Sequence, residues 1–179
     1  MGADVTLLDI SAKRLAYLDD LYGSRLQTLH SNRDTLAECL KQSDLVIGAV
    51  LIPGAKAPNL VTREMLATIK PGAVLVDVAV DQGGCFETTH PTTHTDPIFI
   101  VDGIVHYCVA NMPSAVALTS TTALSNVTLS YGLSLASKGW KAALQGDPGL
   151  RRGLNVAEGR IYNEAVAKSL NVEFAVGLD

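Results

Sequence analysis

Aromatic residues make up only 5% of this 179-residue sequence, and 14 basic residues face 18 acidic ones. The formal charge of -4 leaves no positive field to hold a polyanion, and the scarcity of rings leaves no stacking platform for single strands. Nucleic acid and anionic membrane surfaces are therefore not expected partners. Cysteine is equally sparse: Cys39, Cys85 and Cys108 are odd in number and far apart, which fits a reduced, cytoplasmic protein and not a disulfide framework. No C-x-x-C pair occurs, so a thiolate zinc site has no support. Long hydrophobic runs are also missing, because Pro53, Asp77 and Asp102 interrupt them well short of the ~20 residues a membrane span needs. No secretory leader is expected, since Met1 runs straight into a strand-like pattern. The length leaves room for one domain, or for a domain plus part of another.

What is present is organised around Val74-Leu-Val-Asp-Val-Ala-Val-Asp81-Gln-Gly-Gly84, an apolar run ending in a carboxylate and paired glycines. Buried parallel strands read this way because helices cover both faces, and ligands of open α/β sheets bind beyond the carboxyl ends of such strands. Asp81 then stands either where chemistry is done or simply at the start of a turn whose glycines supply positive φ. Similar runs occur at residues 4–9, more weakly at 25–30, at 44–51 and at 103–110. Between them, Leu15, Leu18 and Leu21 predict a helix capped by Ser11 and stopped at Gly23, Leu36 and Leu40 a second, and residues 62–70 a third. The polar stretch from Gly84 to Pro97 reads as a loop. Alternating strands and helices imply right-handed crossovers and a doubly wound parallel sheet.

From about Ser114 the texture changes. Ser, Thr and Ala dominate up to Leu135, with apolar residues spread all round, which suits a long buried helix packed on a neighbour. Beyond the Gly146-Asp-Pro148 break, a small hairpin is expected around Glu158-Gly159 and a final helix over residues 163–170. These features place a boundary near residue 117, with residues 1–117 in one domain and 118–179 in a second structural unit.

Asp9 ends the first strand-like segment, where an acid of a dinucleotide-binding sheet accepts hydrogen bonds from the adenosine ribose and repels a 2'-phosphate, favouring NAD over NADP. A plain strand-terminal Asp is the competing reading. The glycine-rich turn of such a sheet should lie about 20 residues earlier, and only eight residues precede Asp9. The pyrophosphate cradle is missing from the sequence.

Four stretches carry a resemblance: residues 44–58, with Val50-Leu-Ile-Pro-Gly-Ala-Lys-Ala-Pro58; residues 76–87, with Asp77 and Asp81; Pro91-Thr-Thr93; and His106-Tyr-Cys-Val-Ala-Asn-Met-Pro113. In these the sequence resembles the alanine dehydrogenase family, whose more distant relatives include the nucleotide-binding subunit of proton-translocating transhydrogenase and lysine-forming saccharopine dehydrogenases. The resemblance implies a Rossmann-type sheet lacking its first strand, followed by a mostly helical segment of the substrate domain. It also implies reversible NAD-dependent deamination of L-alanine to pyruvate and ammonia by a hexamer. By the same resemblance, Asp9 and Arg14 are ribose contacts and Ser31 lies near the adenine. Val50 and Leu51 border the cofactor, Val78 and Val109 lie near the nicotinamide, Asp81 is the catalytic-site aspartate, and Asn111 stands beside nicotinamide and substrate. The family's substrate-binding arginine and lysine and its general-base histidine belong to an N-terminal domain not found in this sequence. Ala117-Leu118 and Ser130 depart from the family pattern, which carries a Pro-basic pair and a proline there.

Two other readings stay open: a non-catalytic truncated or split-chain product that binds a partner carrying the missing half or has no activity at all, and a transhydrogenase-type NAD domain. The isolated chain is expected to be aggregation-prone or partly folded, because a missing central strand leaves edges unpaired. His90 and His94 have helical metal-ligand spacing, but Pro91 argues for a polar loop, so no metal is expected. His106 reads as a core histidine, Lys56 as a phosphate or subunit contact or a solvated loop lysine, and Cys85 as a packing residue.

Overall fold

The computed structural model describes residues 2–50, 52 and 58–177. Residues up to Val50, together with those leading to Ala110, form one compact unit, and residues from Asn111 onward form another. The division falls seven residues before the boundary expected near residue 117.

The first unit opens with β1 (Thr6–Asp9), α1 (Ala12–Tyr22) and β2 (Gln27–His30). Ser11 caps α1 by accepting the Arg14 N–H, and Gly23 stops it at φ 55°, a conformation open to a residue without Cβ. Leu15 and Leu18, three apart on one face, are its buried residues. β1 and β2 pair in parallel, Asp9 opposite His30, as a two-stranded sheet of their own. This matches a doubly wound sheet lacking the strand that would join this pair to the rest.

α2 (Arg33–Gln42) leads into β3 (Leu45–Gly48), α3 (Arg63–Leu66), β4 (Val74–Asp77), β5 (Ile98–Val101) and β6 (Ile104–Tyr107). These strands form one sheet in the order β3-β4-β6-β5. β3, β4 and β6 are parallel, whereas β5 runs antiparallel to β6 at the edge. The sheet is thus mixed, and β5 falls in the five residues between the loop expected to end at Pro97 and the run read at 103–110, where no element was expected. Its signal is the Asp102-Gly103 pair, both at positive φ (50° and 81°), the backbone that a tight two-residue hairpin demands. The strands expected at 44–51 and 74–81 are also shorter, each of four residues. Leu40, Val61, Met65, Leu66, Ile69, Leu75, Phe86 and Ile104 form the core of this unit, and Leu75, at the centre of the sheet, has no exposed surface.

In the second unit, α4 (Ala117–Lys138) runs for 22 residues, and Gly139, at φ 75°, separates it from α5 (Trp140–Gly146). Asp147 caps α6 (Pro148–Arg152) and Asn163 caps α7 (Glu164–Leu170), each by accepting two backbone N–H groups. Between them, β7 (Val156–Ala157) and β8 (Arg160–Ile161) make the expected hairpin around Glu158-Gly159. One expectation fails here: α4 forms, but none of its residues is buried in this chain, and Leu118 is 84% exposed. The reason is size, since the remaining elements of the unit have at most seven residues and α4 is roughly 33 Å long. Among the described residues no helix is long and apolar enough to cross a membrane.

Candidate functional site

The carboxyl end of β4 does not fall where the apolar run ends. The strand stops at Asp77, and Asp81 lies beyond it, exposed, in a single 3-10 turn, Val80–Gln82. The physical cause is Asp77, which competes for the backbone as aspartates do. Its Oδ1 accepts the N–H of Ala79 at 3.1 Å and its Oδ2 accepts the N–H of Cys85 at 2.8 Å, so the chain turns away from the ladder. The Ala79 carbonyl then receives the N–H groups of Gln82 (2.9 Å) and Gly84 (3.1 Å). Gly83 and Gly84 close the turn at φ 98° and 79°, conformations that L side chains rarely adopt. The acid at the end of the apolar run is therefore displayed on a turn, and a second acid underneath holds that turn.

β3 and β4 end side by side. The N–H of Val78 donates to the Gly48 carbonyl at 2.8 Å, which places Val78, half exposed, beside the segment leading to Val50. Val50 packs partly buried against the core. Leu51 and Lys56 lie outside the described residues. Cys85 is buried against Gly48, where an added Cβ would come within 2.7 Å of the Cys85 Cβ. Burial pushes the Cys85 thiol above its ordinary value of 9.0, and the neighbouring Asp77 charge pushes it the same way. It is a packing residue, not a nucleophile.

Asp9, Arg14 and Ser31 gather at the carboxyl ends of β1 and β2. The Asp9 carboxylate accepts the Ser11 N–H at 2.7 Å, and its backbone carbonyl accepts the Ser31 N–H at 2.9 Å. One carboxylate oxygen therefore stiffens the entry to α1. The Arg14 guanidinium lies over the Tyr17 ring, 5.2 Å from its centroid.

Val109 follows β6 and is buried, held by a parallel bridge to Thr92. The loop expected from Gly84 to Pro97 is therefore laced to the sheet. The Cys108 thiol, also raised by burial, lies 3.1 Å from the Thr89 hydroxyl. His106 is a fully buried core histidine, as its place within a strand suggests. His90 is exposed and stacks on Phe99, with centroids 3.7 Å apart, and Phe99 in turn stacks on His106 at 4.8 Å. Asn111 opens the second unit in the left-handed conformation (φ 57°, ψ 51°), a geometry that asparagine adopts more readily than most residues. Sequence reasoning passes over Asp77. Its signal is present in the pair Asp77 and Asp81 on one apolar segment, where the first acid sits too deep in the run to be solvated.

The sequence matches the family model described as alanine dehydrogenase/PNT, C-terminal domain, over residues 1–164. An alanine dehydrogenase of Halomonas elongata is 57% identical over 174 residues, which are 97% of this chain and 47% of that protein. One from Geobacillus stearothermophilus is 56% identical over 175 residues, again 97% of this chain and 47% of that protein. A solved L-alanine dehydrogenase superposes with a TM-score of 0.82 at 49% identity, covering 95% of this chain and 47% of that one. A transhydrogenase from Sinorhizobium meliloti superposes with a TM-score of 0.59 at 30% identity, covering 71% of this chain and 38% of that one. The chain spans about half the length of the curated relatives it matches.

Proposed function

Because the chain belongs to the alanine dehydrogenase/PNT C-terminal domain family, we propose that it supplies the nucleotide-binding half of an NAD-dependent alanine dehydrogenase. The reaction is L-alanine plus water and NAD+ to pyruvate, ammonium, NADH and a proton, in a cytoplasmic hexamer or with a chain that brings the missing half. The observation that carries this reading is the extent of the likeness: the alanine dehydrogenase fold and sequence cover both units, whereas the transhydrogenase likeness covers 71% of the chain. Residues 1–117 act as the partial NAD-binding domain and residues 118–179 as part of the substrate domain.

The residues present fit part of a dinucleotide. Asp9 offers its remaining carboxylate oxygen to the ribose, with Arg14 alongside and Ser31 near the adenine. Its negative charge selects against a 2'-phosphate. Val50 and Val78 supply apolar surface for the nicotinamide end, Val109 backs it from within the core, and Asn111 serves the substrate. NAD, when bound, accepts the hydride from the alanine Cα. Asp81 stabilises the positive charge that develops on the substrate nitrogen and orients the water that attacks the carbon. The pyrophosphate cradle, the substrate-binding cations and the general base fall to a segment outside this chain.

The test is a hybrid enzyme in which the N-terminal portion of the Halomonas elongata relative is joined to this chain. The expected outcome is L-alanine-dependent NADH formation by the hybrid and none by the 179-residue chain alone. NAD binding with no alanine dependence favours the transhydrogenase-type reading, and activity of the chain alone overturns its assignment as a half-enzyme.

A further inference from the structure

Asp77 has no exposed surface. A buried carboxylate is costly unless hydrogen bonds hold it, and two backbone donors do so here. They sit at opposite ends of the turn that carries Asp81: Ala79 at its entry, 3.1 Å from Oδ1, and Cys85 at its exit, 2.8 Å from Oδ2. Gly84 packs its backbone directly on the same group. A Cβ there would lie 2.7 Å from Asp77 Oδ2 and 2.0 Å from Thr89 Cγ2, so no larger residue fits over the carboxylate. Among the described residues the Asp81 carboxylate carries no hydrogen bond or ion pair of its own. Its place is inherited from the backbone on which it stands.

We propose that Asp77 is a positioning residue whose carboxylate ties the two ends of the 78–84 turn and so fixes where Asp81 presents its own carboxylate. The proposal rests on the alanine dehydrogenase reading of that turn. An apolar residue of similar size would fill the same space without joining Ala79 to Cys85. An amide would also fail, since its NH2 would face one of the two N–H donors.

The experiment uses the hybrid enzyme with Asp77→Asn, Asp81→Ala and the double change, read by kinetics and by amide hydrogen exchange. Asp77→Asn is expected to lower kcat by on the order of 10- to 100-fold, with KM for alanine within about twofold, since a small misplacement at a reacting centre costs this much. In the Asp81→Ala background the same change should cost no more than about twofold, because positioning has nothing left to act upon. Exchange at residues 79–85 should rise by about tenfold or more while β4 keeps its protection. An equal kinetic loss in both backgrounds, or unaltered exchange at 79–85, overturns the proposal. If Asp77→Asn does not fold, Asp77→Ser serves instead, retaining an acceptor for Ala79 but too short for Cys85. A parent hybrid that forms no NADH from alanine overturns the functional reading alone, and the exchange comparison still decides whether Asp77 ties the turn.

Discussion

His106 Nε2 lies 2.8 Å from the Thr88 hydroxyl, while its Nδ1 lies 3.0 Å from the Ile104 carbonyl. A carbonyl only accepts, so Nδ1 carries the proton, and Nε2 of the neutral ring accepts from Thr88. Burial, the largest influence on the ring, lowers its pKa from the ordinary 6.5, and the nearby His90 adds to this, against the raising effects of the Ile104 carbonyl and Asp77.

The consequence is an acid-sensitive core. Well above pH 6.5 neither folded nor unfolded chain protonates this histidine, and its contribution to stability is fully present. Below 6.5 the unfolded chain takes up a proton that the folded chain refuses until its own lower pKa is reached, so stability falls by at most ~1.4 kcal/mol per pH unit from this group. Urea midpoints measured from pH 7.5 to 5 should decline below 6.5, and His106→Gln should flatten that decline. An equally steep decline in the variant would assign the acid sensitivity elsewhere.

Gly48 is needed for its size, not its φ. Alanine there would bring a Cβ within 2.7 Å of the Cys85 Cβ and 3.0 Å of the Phe86 ring, both buried and unable to swing aside. Overpacking of this kind costs about 1–3 kcal/mol, so Gly48→Ala should shift the denaturation midpoint accordingly. A loss below about 0.5 kcal/mol would mean that β3 and β4 separate more easily than their ladder suggests.

Asp9→Ala in the hybrid enzyme should weaken NAD binding by on the order of ten- to a hundredfold, the worth of a hydrogen bond to a charged group, and should narrow the preference over NADP. Titration calorimetry with both nucleotides measures the two effects. NAD affinity within about twofold of the parent would remove Asp9 from the ribose site.

The β1–β2 pair shares no ladder with the four-stranded sheet. Its amides in the 179-residue chain should exchange at least about tenfold faster than those of β4, which is flanked on both sides by β3 and β6. Uniform protection across the two sheets, with one sharp thermal transition, would contradict the expectation that the chain is only partly folded by itself.

The parts legible in the sequence are those written in neighbouring residues. Ser11, Asn163, Gly23 and the Glu158-Gly159 hairpin act within three or four positions, and the pairing of apolar runs with helices is enough to imply parallel crossovers. β5 goes unread because it is only four residues long, follows a polar loop directly and is cut from the next apolar run by Asp102, so its alternation is too short to stand out. The end of β4 is obscured for a different reason. Apolarity continues to Val80, but the strand is ended by hydrogen bonds from Ala79 and Cys85 to Asp77, and the second of these joins residues eight apart. For α4, composition reveals that a surface is apolar without revealing which residues lie against it, so its bareness in this chain is not readable from the sequence.

The Asp102-Gly103 turn also bears on the order of assembly. β5 and β6 are the one neighbouring pair in the four-stranded sheet joined without a crossover, so their loop-closure entropy is small and a hairpin of this kind forms in roughly 1–10 μs. β3 and β4 meet only after more than twenty intervening residues have been gathered in, as their register of Leu45 with Val74 requires. The edge of the sheet is thus placed to form before its centre and to offer β4 a template. Gly103→Ala, which strains a residue at φ 81°, should then slow refolding more than it speeds unfolding, and the reverse ratio would place the nucleus elsewhere.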